Sequence, residues 1–479
     1  MYIKRISQQT ILYGTGVFII SLTNFLLLPI YTRYLSLKAF AELSLISAAV
    51  FLFQYVFNMG LYSGFMIRYF DSDDNEFKKK LASSILVFYI FFSLFISFIL
   101  LIFYTQVSKL MIGRSDFFIL LCVLLIVSFE TLLGLPMLIF RITESPLRFI
   151  IINFIKGIGI ILAVFFVLKY FNGGVIGVVT AQAICAGIVM LLAYAIVRKH
   201  YIFYFDIKEL WISLKLGFPV FIIMIALWFV DFSNRFIVKH FSSMENLALY
   251  SLGIKLGQLI LFFVSIFQAV WQPLMFKIFK EPDSKRIYSD IFTYVALVLI
   301  MASLAISVFS KELILVFSTA EYLKSVNIIK IITITYALFG LFCYLQTPLL
   351  VNKKLYTVAF ISCLGAVLNI LLSYILIPRY DIYGAVSAIF ITYLILVVII
   401  FIFAQRAYSV PYDYLRFLKI CVSAAIAYLM VNLINVNTVF CAAYKTIALS
   451  LFFIFLYLLK FFNKNEIVCI RSFLSKRAF

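Results

Sequence analysis

The sequence predicts an all-α integral membrane protein of about fourteen transmembrane helices: two pseudo-symmetric six-helix bundles around a central cavity, plus two extra C-terminal helices. Three observations carry that prediction. The 479 residues are 65% hydrophobic and 13% charged, against about 45–50% and about 25% in soluble domains, and the mean hydropathy is +1.13. Apolar runs long enough to cross a bilayer recur from end to end. Those runs are unbroken, as in "SSILVFYIFFSLFISFILLIFY", whereas barrel strands alternate polar and apolar residues over about ten positions. Lipid satisfies no backbone polar group, so the spans are helices.

The spans follow in order, each about 20 residues between charged or turn-rich breaks. The first covers 11–33. It is too long for a signal-peptide core, lacks a small-residue cleavage site and runs on into a second span at 37–59. The stretch around "KKK" at 78–80 precedes the third, 82–104. Spans four to six fall at 117–140, 148–169 and 175–197, with short connections. Spans seven and eight, 212–239 and 247–275, hold ionisable residues inside apolar sequence, and Lys277, Lys280, Lys285 and Arg286 follow them. Spans nine to twelve occupy 287–309, 325–350, 355–378 and 384–405; the last two, 415–434 and 438–460, are almost wholly apolar.

Charge distribution orients these spans. With the N-terminus in the cytoplasm, the inner segments hold about 26 of the Lys and Arg residues and the outer loops about 9, which puts both termini inside by the positive-inside rule. The net charge of +20 is therefore mostly topological; no soluble domain presents a groove, so nucleic acid is not an expected partner. Seven cysteines, six of them in apolar spans and none at metal-ligand spacing, read as small core residues without a disulfide framework. No metal site is expected.

An internal repeat supports the two-bundle arrangement. "GTGVFII" at 14–20 resembles "GFPVFII" at 217–223, Ser36 aligns with Ser242, and "GVVTA" at 177–181 resembles "GAVSA" at 384–388. The offsets cluster between 203 and 207. The domains are thus about 1–200 and 205–408, followed by 411–479 with the two extra helices and a cytoplasmic tail. An even number of helices per half gives parallel repeats about an axis along the membrane normal, with alternating access at their interface.

Charge inside the membrane costs between about 2.5 and more than 10 kcal/mol, and marks function by default. Asp231 and Arg235 stand four residues apart in "LWFVDFSNRFIVKHF"; helical spacing permits a mutually neutralising pair. Helix rise places Arg235 about 6 Å from the outer end of its span and Lys255 about 12 Å deep. Lys255 has no acidic neighbour in sequence. Lys156 is similarly deep from the inner side, with Glu130 near the middle of span four as a candidate partner. Arg33 and Glu42 suit an interfacial position; Lys330 and Lys445 are shallow enough to snorkel. Arg68, Arg141 and Lys277 end spans at the cytoplasmic face, either as topology signals or as a basic mouth. The surplus of buried cations over anions fits a phosphate-bearing substrate better than a cationic one.

Three segments carry a family resemblance. "PIYTRYLSLKAFAELSLI", "DFSNRFIVKHFSSMENLALYSLGIKLGQ" and "LNILLSYILIPRYDIYGAVSA" (368–388) resemble the first hairpin, the helix 7–8 hairpin and the Asn…Leu-Ile-Pro…Gly-Ala segment of polysaccharide-unit exporters. These belong to the multidrug/oligosaccharidyl-lipid/polysaccharide (MOP) flippase superfamily, and the likeness covers about residues 1 to 410. By position, Arg235 takes the family's Arg and Lys255 its Lys, while Asn234 stands where the family usually has Asp. Lipid II flippases of the superfamily carry arginines within helix 1; here that stretch is uncharged down to Arg33, with Asn24 its polar exception, which favours the O-antigen type.

The resemblance implies a non-enzymatic flippase of a bacterial inner membrane, moving an undecaprenyl-pyrophosphate-linked repeat unit outward. Arg33, Lys156, Arg235 and Lys255 would line its cationic cavity, and Arg68, Arg141 and Lys277 its cytoplasmic mouth. Trp228 and Trp271 would stack on sugars. Asp231 and Glu130 would be ion-pairing residues or couplers to a proton or sodium gradient, with no other cofactor. Expected partners are the lipid-linked oligosaccharide, membrane lipids and glycan polymerase machinery. The alternative is an ion-coupled multidrug exporter of the same fold, for which membrane carboxylates are scarce. A membrane glycan polymerase, ligase or acyltransferase is disfavoured by short outer loops and by His200 and His240 falling on opposite sides.

Overall fold

The computed structural model describes residues 2–433 and 441–462. Every regular element among them is a helix. The chain runs through α1 (Tyr2–Tyr34), α2 (Leu37–Asn58), α3 (Leu61–Tyr69), α4 (Asn75–Ile102), α5 (Tyr104–Ile112), α6 (Phe117–Ile142), α7 (Pro146–Tyr170) and α8 (Gly174–Val197). Then follow α9 (Ile207–Asp231), α10 (Ser233–Phe241), α11 (Met244–Gly257), α12 (Ile260–Ile278), α13 (Ser284–Val308) and α14 (Ser310–Phe317). The remainder comprises α15 (Val326–Leu345), α16 (Thr347–Val351), α17 (Leu355–Ala407), α18 (Tyr414–Leu433) and α19 (Cys441–Leu458).

Short polar side chains start many of these helices, because the first N–H groups of a helix lack intrahelical acceptors. Ser36 accepts from the amide of Ala39 at 3.3 Å, Asp74 from Glu76 at 2.9 Å, Asp116 from Ile119 at 3.0 Å, Asp206 from Lys208 at 2.8 Å and Ser243 from Asn246 at 3.1 Å. Pro146 opens α7 at a position where its missing N–H is harmless.

Eleven helical stretches among the described residues are long and apolar enough to cross a membrane, or twelve with the pair α11–α12, bent by 43°. The expectation of fourteen departs from this at identifiable places. Expected spans eleven and twelve form one 53-residue helix, α17, with Asp381 at its midpoint in a non-helical conformation (φ 54, ψ −135). Expected span fourteen contributes the shorter apolar helix Tyr444–Leu458. Residues 434–440 and the tail after 462, with Cys469, lie outside the described residues.

Helices α1 to α8 pack chiefly among themselves, through α1 on α7 and α6 on α8 and α2. A second group forms around α17, which packs on α9, α10 and α15, while α18 and α19 dock on α13. The groups meet differently at the two ends of the molecule. At the end bearing the lysines of 78–80, hereafter the lysine-rich face, α3 lies directly on α9. A Cβ on Gly64 would stand 1.9 Å from the Ser213 carbonyl oxygen, and one on Gly60 (φ 75) would stand 2.2 Å from that of Gly217; only glycine lets these backbones touch. Amides of Ile202 and Asp206, in the segment joining the groups, donate to Ser83 and Ser84 of α4, both at 2.9 Å.

At the opposite, lysine-poor face the groups are tied along α1, α2 and α5. Thr32 donates to the Phe317 carbonyl at 3.2 Å, and Lys239 to that of Leu110 at 3.1 Å. Between α2 and α11, the Ser251 hydroxyl donates to Ser44 at 2.8 Å, fully buried, and Lys38 meets Glu245 at 3.8 Å. Both pairs are 207 residues apart, the same offset as the two Gly…Ala segments at 177–181 and 384–388. Repeat-equivalent residues that touch each other lie on the axis relating the repeats, as in any isologous contact. The matching cap of α11 is Ser243, one position beyond the expected Ser242, because it is Ser243 that receives the amide three residues on.

Candidate functional site

Helix α9 stops at Asp231 and α10 starts at Ser233, with Phe232 (φ −119, ψ −26) between them. The run Asp-Phe-Ser-Asn weakens the helix, because its short polar side chains compete for backbone groups. Asn369 of α17 reaches into this break. Its amide donates to the carbonyls of Phe229 and Val230 at 3.1 and 3.2 Å and to Asn234 Oδ1 at 2.9 Å. Ser373 donates to the same Asn234 oxygen at 2.7 Å, and Asn234 Nδ2 donates to the Ala385 carbonyl at 3.2 Å. Ser233 turns back on the Phe229 carbonyl. Asn234, Asn369 and Ser373 are fully buried, so this polar knot ties the broken helix to both arms of α17.

The break separates Asp231 from Arg235. They form no ion pair: Asp231 Oδ1 accepts from the Tyr393 hydroxyl at 2.8 Å, while the Arg235 guanidinium lies over the Phe232 ring at 4.7 Å. The neutralising pair permitted by the sequence spacing is therefore not made, because i,i+4 neighbours need an uninterrupted helix. Arg235 is only 5% exposed, and its Nε and Nη1 have no hydrogen-bond partner. Tyr250 and Tyr336 stand within its electrostatic reach; Tyr336 accepts from Gln258 at 2.9 Å.

Lys255, in the last turn of α11, also lies within electrostatic reach of Arg235. Its ammonium sits over Tyr31 of α1 at 5.4 Å and Phe40 of α2 at 5.6 Å, so it stands at the seam between the two helix groups. Tyr31 in turn accepts from Gln182 at 3.0 Å. Two aromatic faces and a helix C-terminus favour a cation, yet no carboxylate pairs with it. The structure thus brings Arg235 and Lys255 within electrostatic reach of each other, with Asp231 also in reach of Arg235 though bonded to Tyr393.

Other residues from the sequence reading go elsewhere. Lys156 pairs with Glu130 at 2.6 Å within the first helix group, so both charges are already compensated. Arg33 is exposed at the end of α1 and donates to the Val316 carbonyl at 3.5 Å; it straps the lysine-poor face instead of lining a cavity. Arg68 forms a two-pronged bond with Glu209, at 2.7 and 2.9 Å, across the α3–α9 contact. Arg141 lies against Phe149 at 4.7 Å at the exposed end of α6, and Lys277 is exposed near the end of α12. Lys445 meets Glu312 at 2.6 Å instead of snorkelling. Both tryptophans expected at sugars are buried fixtures: Trp228 donates to the Ala48 carbonyl and Trp271 to Thr347, each at 2.9 Å.

Sequence reasoning passed over Tyr393, Asn369 and Ser373 as site residues. Asn369 lies in the "LNILLSYILIPRYDIYGAVSA" segment, and an amide inside an apolar run was the available signal. No group of His, Cys, Asp and Glu among the described residues has the arrangement of a metal site.

Known proteins place this geometry in context. A family model described as polysaccharide biosynthesis protein matches residues 6–279. Among solved structures, one of the lipid II flippase MurJ in an inward closed conformation superposes with a TM-score of 0.77 at 18% identity, covering 93% of this chain and 98% of that one. A mutant of the Vibrio cholerae MATE transporter VcmN gives 0.64 at 16% identity, covering 84% and 96%. An inward-facing multidrug resistance MATE family transporter of the MOP superfamily gives 0.65 at 12% identity, covering 81% and 95%. At these identities the likeness is one of fold. Among proteins of reviewed function none is significantly similar in sequence.

Proposed function

Because the chain belongs to the polysaccharide biosynthesis protein family, we propose that it is a flippase for an undecaprenyl-pyrophosphate-linked O-antigen or related repeat unit. It carries this unit from the cytoplasmic to the periplasmic leaflet of a bacterial inner membrane by alternating access. The observation that carries the reading is the pair formed by buried Arg235 and half-buried Lys255 at the seam, neither of them in an ion pair with a carboxylate. Removing an ion from water costs several kcal/mol, and a buried charge without a partner leaves that cost uncompensated. A pyrophosphate supplies the missing charge and accepts the free Nε and Nη1 donors of Arg235 in charge-assisted hydrogen bonds.

In this mechanism the lysine-rich face is cytoplasmic. Arg141 and Lys277 attract the headgroup there, and Arg68 joins them when it releases Glu209. The halves then rock so that the α3–α9 contact closes again and the lysine-poor face parts, where Ser44 meets Ser251. Asp231, held by Tyr393, is the carboxylate placed to couple this motion to a proton or sodium gradient; Glu130 is already committed to Lys156.

The test is complementation. Arg235→Ala and Lys255→Ala are assayed for surface glycan in cells lacking their own exporter, with protein levels matched. Each substitution is expected to abolish or strongly reduce export. Full export by both removes the cationic-cavity mechanism.

A further inference from the structure

At the lysine-rich face the first helix group contains a second cationic cavity, apart from Arg235 and Lys255. It has a volume of 440 Å³ and lies between the start of α4, the ends of α3 and α6, and the residues that follow α8, within the about 300–1,000 Å³ of small-molecule sites. Lys78, Lys79, Lys199 and His200 line it together with Asn75 and Thr143. The supply of negative charge is meagre. Lys78 reaches only the fully exposed Asp73, at 3.9 Å, and rests on the Tyr69 ring at 5.0 Å. Lys80, next in sequence, turns away to Glu76 at 2.7 Å. Lys79 and Lys199 make no ion pair among the described residues. His200 is pressed from two sides, with Lys79 and Arg148 both in electrostatic reach.

Like charges crowded around a partly enclosed cavity repel one another, and a solvated helix end would let them spread. Lys78, Lys79 and His200 are half-buried instead, held by α4 and by the turn that follows α8 around one cavity. Cations with amide and hydroxyl donors between them form the recognition chemistry of a phosphate. We propose that this cavity binds a phosphate-bearing group: the headgroup of an anionic membrane lipid or a soluble phosphate compound. The site is separate from the transport reading. It shares no residue with the seam, and it stands or falls whether or not Arg235 and Lys255 carry substrate.

The experiment uses the full chain in nanodiscs and inorganic pyrophosphate as the soluble probe, titrated calorimetrically, with Arg235→Met/Lys255→Met titrated alongside so that any binding at the seam is subtracted. The protein is compared with Lys79→Glu/Lys199→Glu and with a control, Lys285→Glu, on the same face outside the cavity. Neither changed lysine is fully buried, so folding is not at stake; a melting curve verifies this. In zwitterionic lipid, pyrophosphate binding is expected to weaken by about tenfold or more in the double variant, equivalent to 1.4 kcal/mol, and to persist in the control. Repeating the titration in discs containing phosphatidylglycerol separates the sources: suppressed binding identifies a lipid headgroup as occupant, and unchanged binding a soluble one. Equal pyrophosphate binding by wild type and double variant, or no binding by either, overturns the proposal.

Discussion

A guanidinium buried beside a second cation strains the empty protein, and that gives Arg235 a thermodynamic signature separate from transport. Arg235→Met removes the uncompensated charge while keeping much of the volume, so the melting temperature is expected to rise even as export is lost. A drop in melting temperature would assign Arg235 a structural pairing instead. Lys156 should behave oppositely. Lys156→Met strands Glu130 at 19% side-chain exposure and is expected to destabilise by about 3–5 kcal/mol, with Glu130→Gln recovering most of the loss in thermal or denaturant unfolding. Both contrasts start from residues legible in the sequence, because an ionisable group in an apolar run stands out. Their partners were less legible. Lys156 found Glu130 as its position allowed, but Asp231 turned to Tyr393, 162 residues away, and no local spacing encodes that choice.

Helix breaks decide what these charges face. The stop after Asp231 is supported by Asn369, whose amide serves two carbonyls left over at the break. Asn369→Ala leaves those groups and Asn234 short of partners in a buried site, with an expected loss of about 1–3 kcal/mol and faster amide hydrogen exchange at 229–235. Unchanged exchange there would deny Asn369 that role. The α3–α9 contact makes a harsher demand: Gly64→Val has no room beside the Ser213 carbonyl, and correctly folded protein recovered from membranes is expected to fall sharply. Span existence and order were readable from apolar runs alone. The break after Asp231 falls inside the expected span 212–239, marked only by the short polar run Asp-Phe-Ser-Asn, and α17 bends at Asp381 where the sequence suggested a loop.

Across the whole molecule, the Ser44–Ser251 contact reports the state of the lysine-poor face. Hydroxyls 2.8 Å apart leave room for a disulfide after modest side-chain rotation. The pair Ser44→Cys/Ser251→Cys is expected to cross-link under mild oxidation and to halt export until reductant is added. Export undiminished by a complete cross-link would mean that this end never opens. Cys122, Cys185, Cys343, Cys363 and Cys421 are free, so a background without native cysteines is the proper control. The sequence carries the expected repeat only as scattered similarity near one offset, and Ser44 and Ser251, which touch, stand 207 residues apart.

The axis relating the repeats bears on how such a chain can vary. Two identical subunits meeting around a twofold would set every residue on the axis against its own copy. A serine tolerates this, since a hydroxyl both donates and accepts, and Ser44 still meets Ser251. A lysine does not, for its ammonium would face another ammonium. Lys38 opposite Glu245 is a solution closed to a symmetric dimer and open to a fused chain, in which each copy mutates alone. Covalent fusion thus frees the axis to acquire complementary charge, turning a self-matching interface into a lock with one orientation.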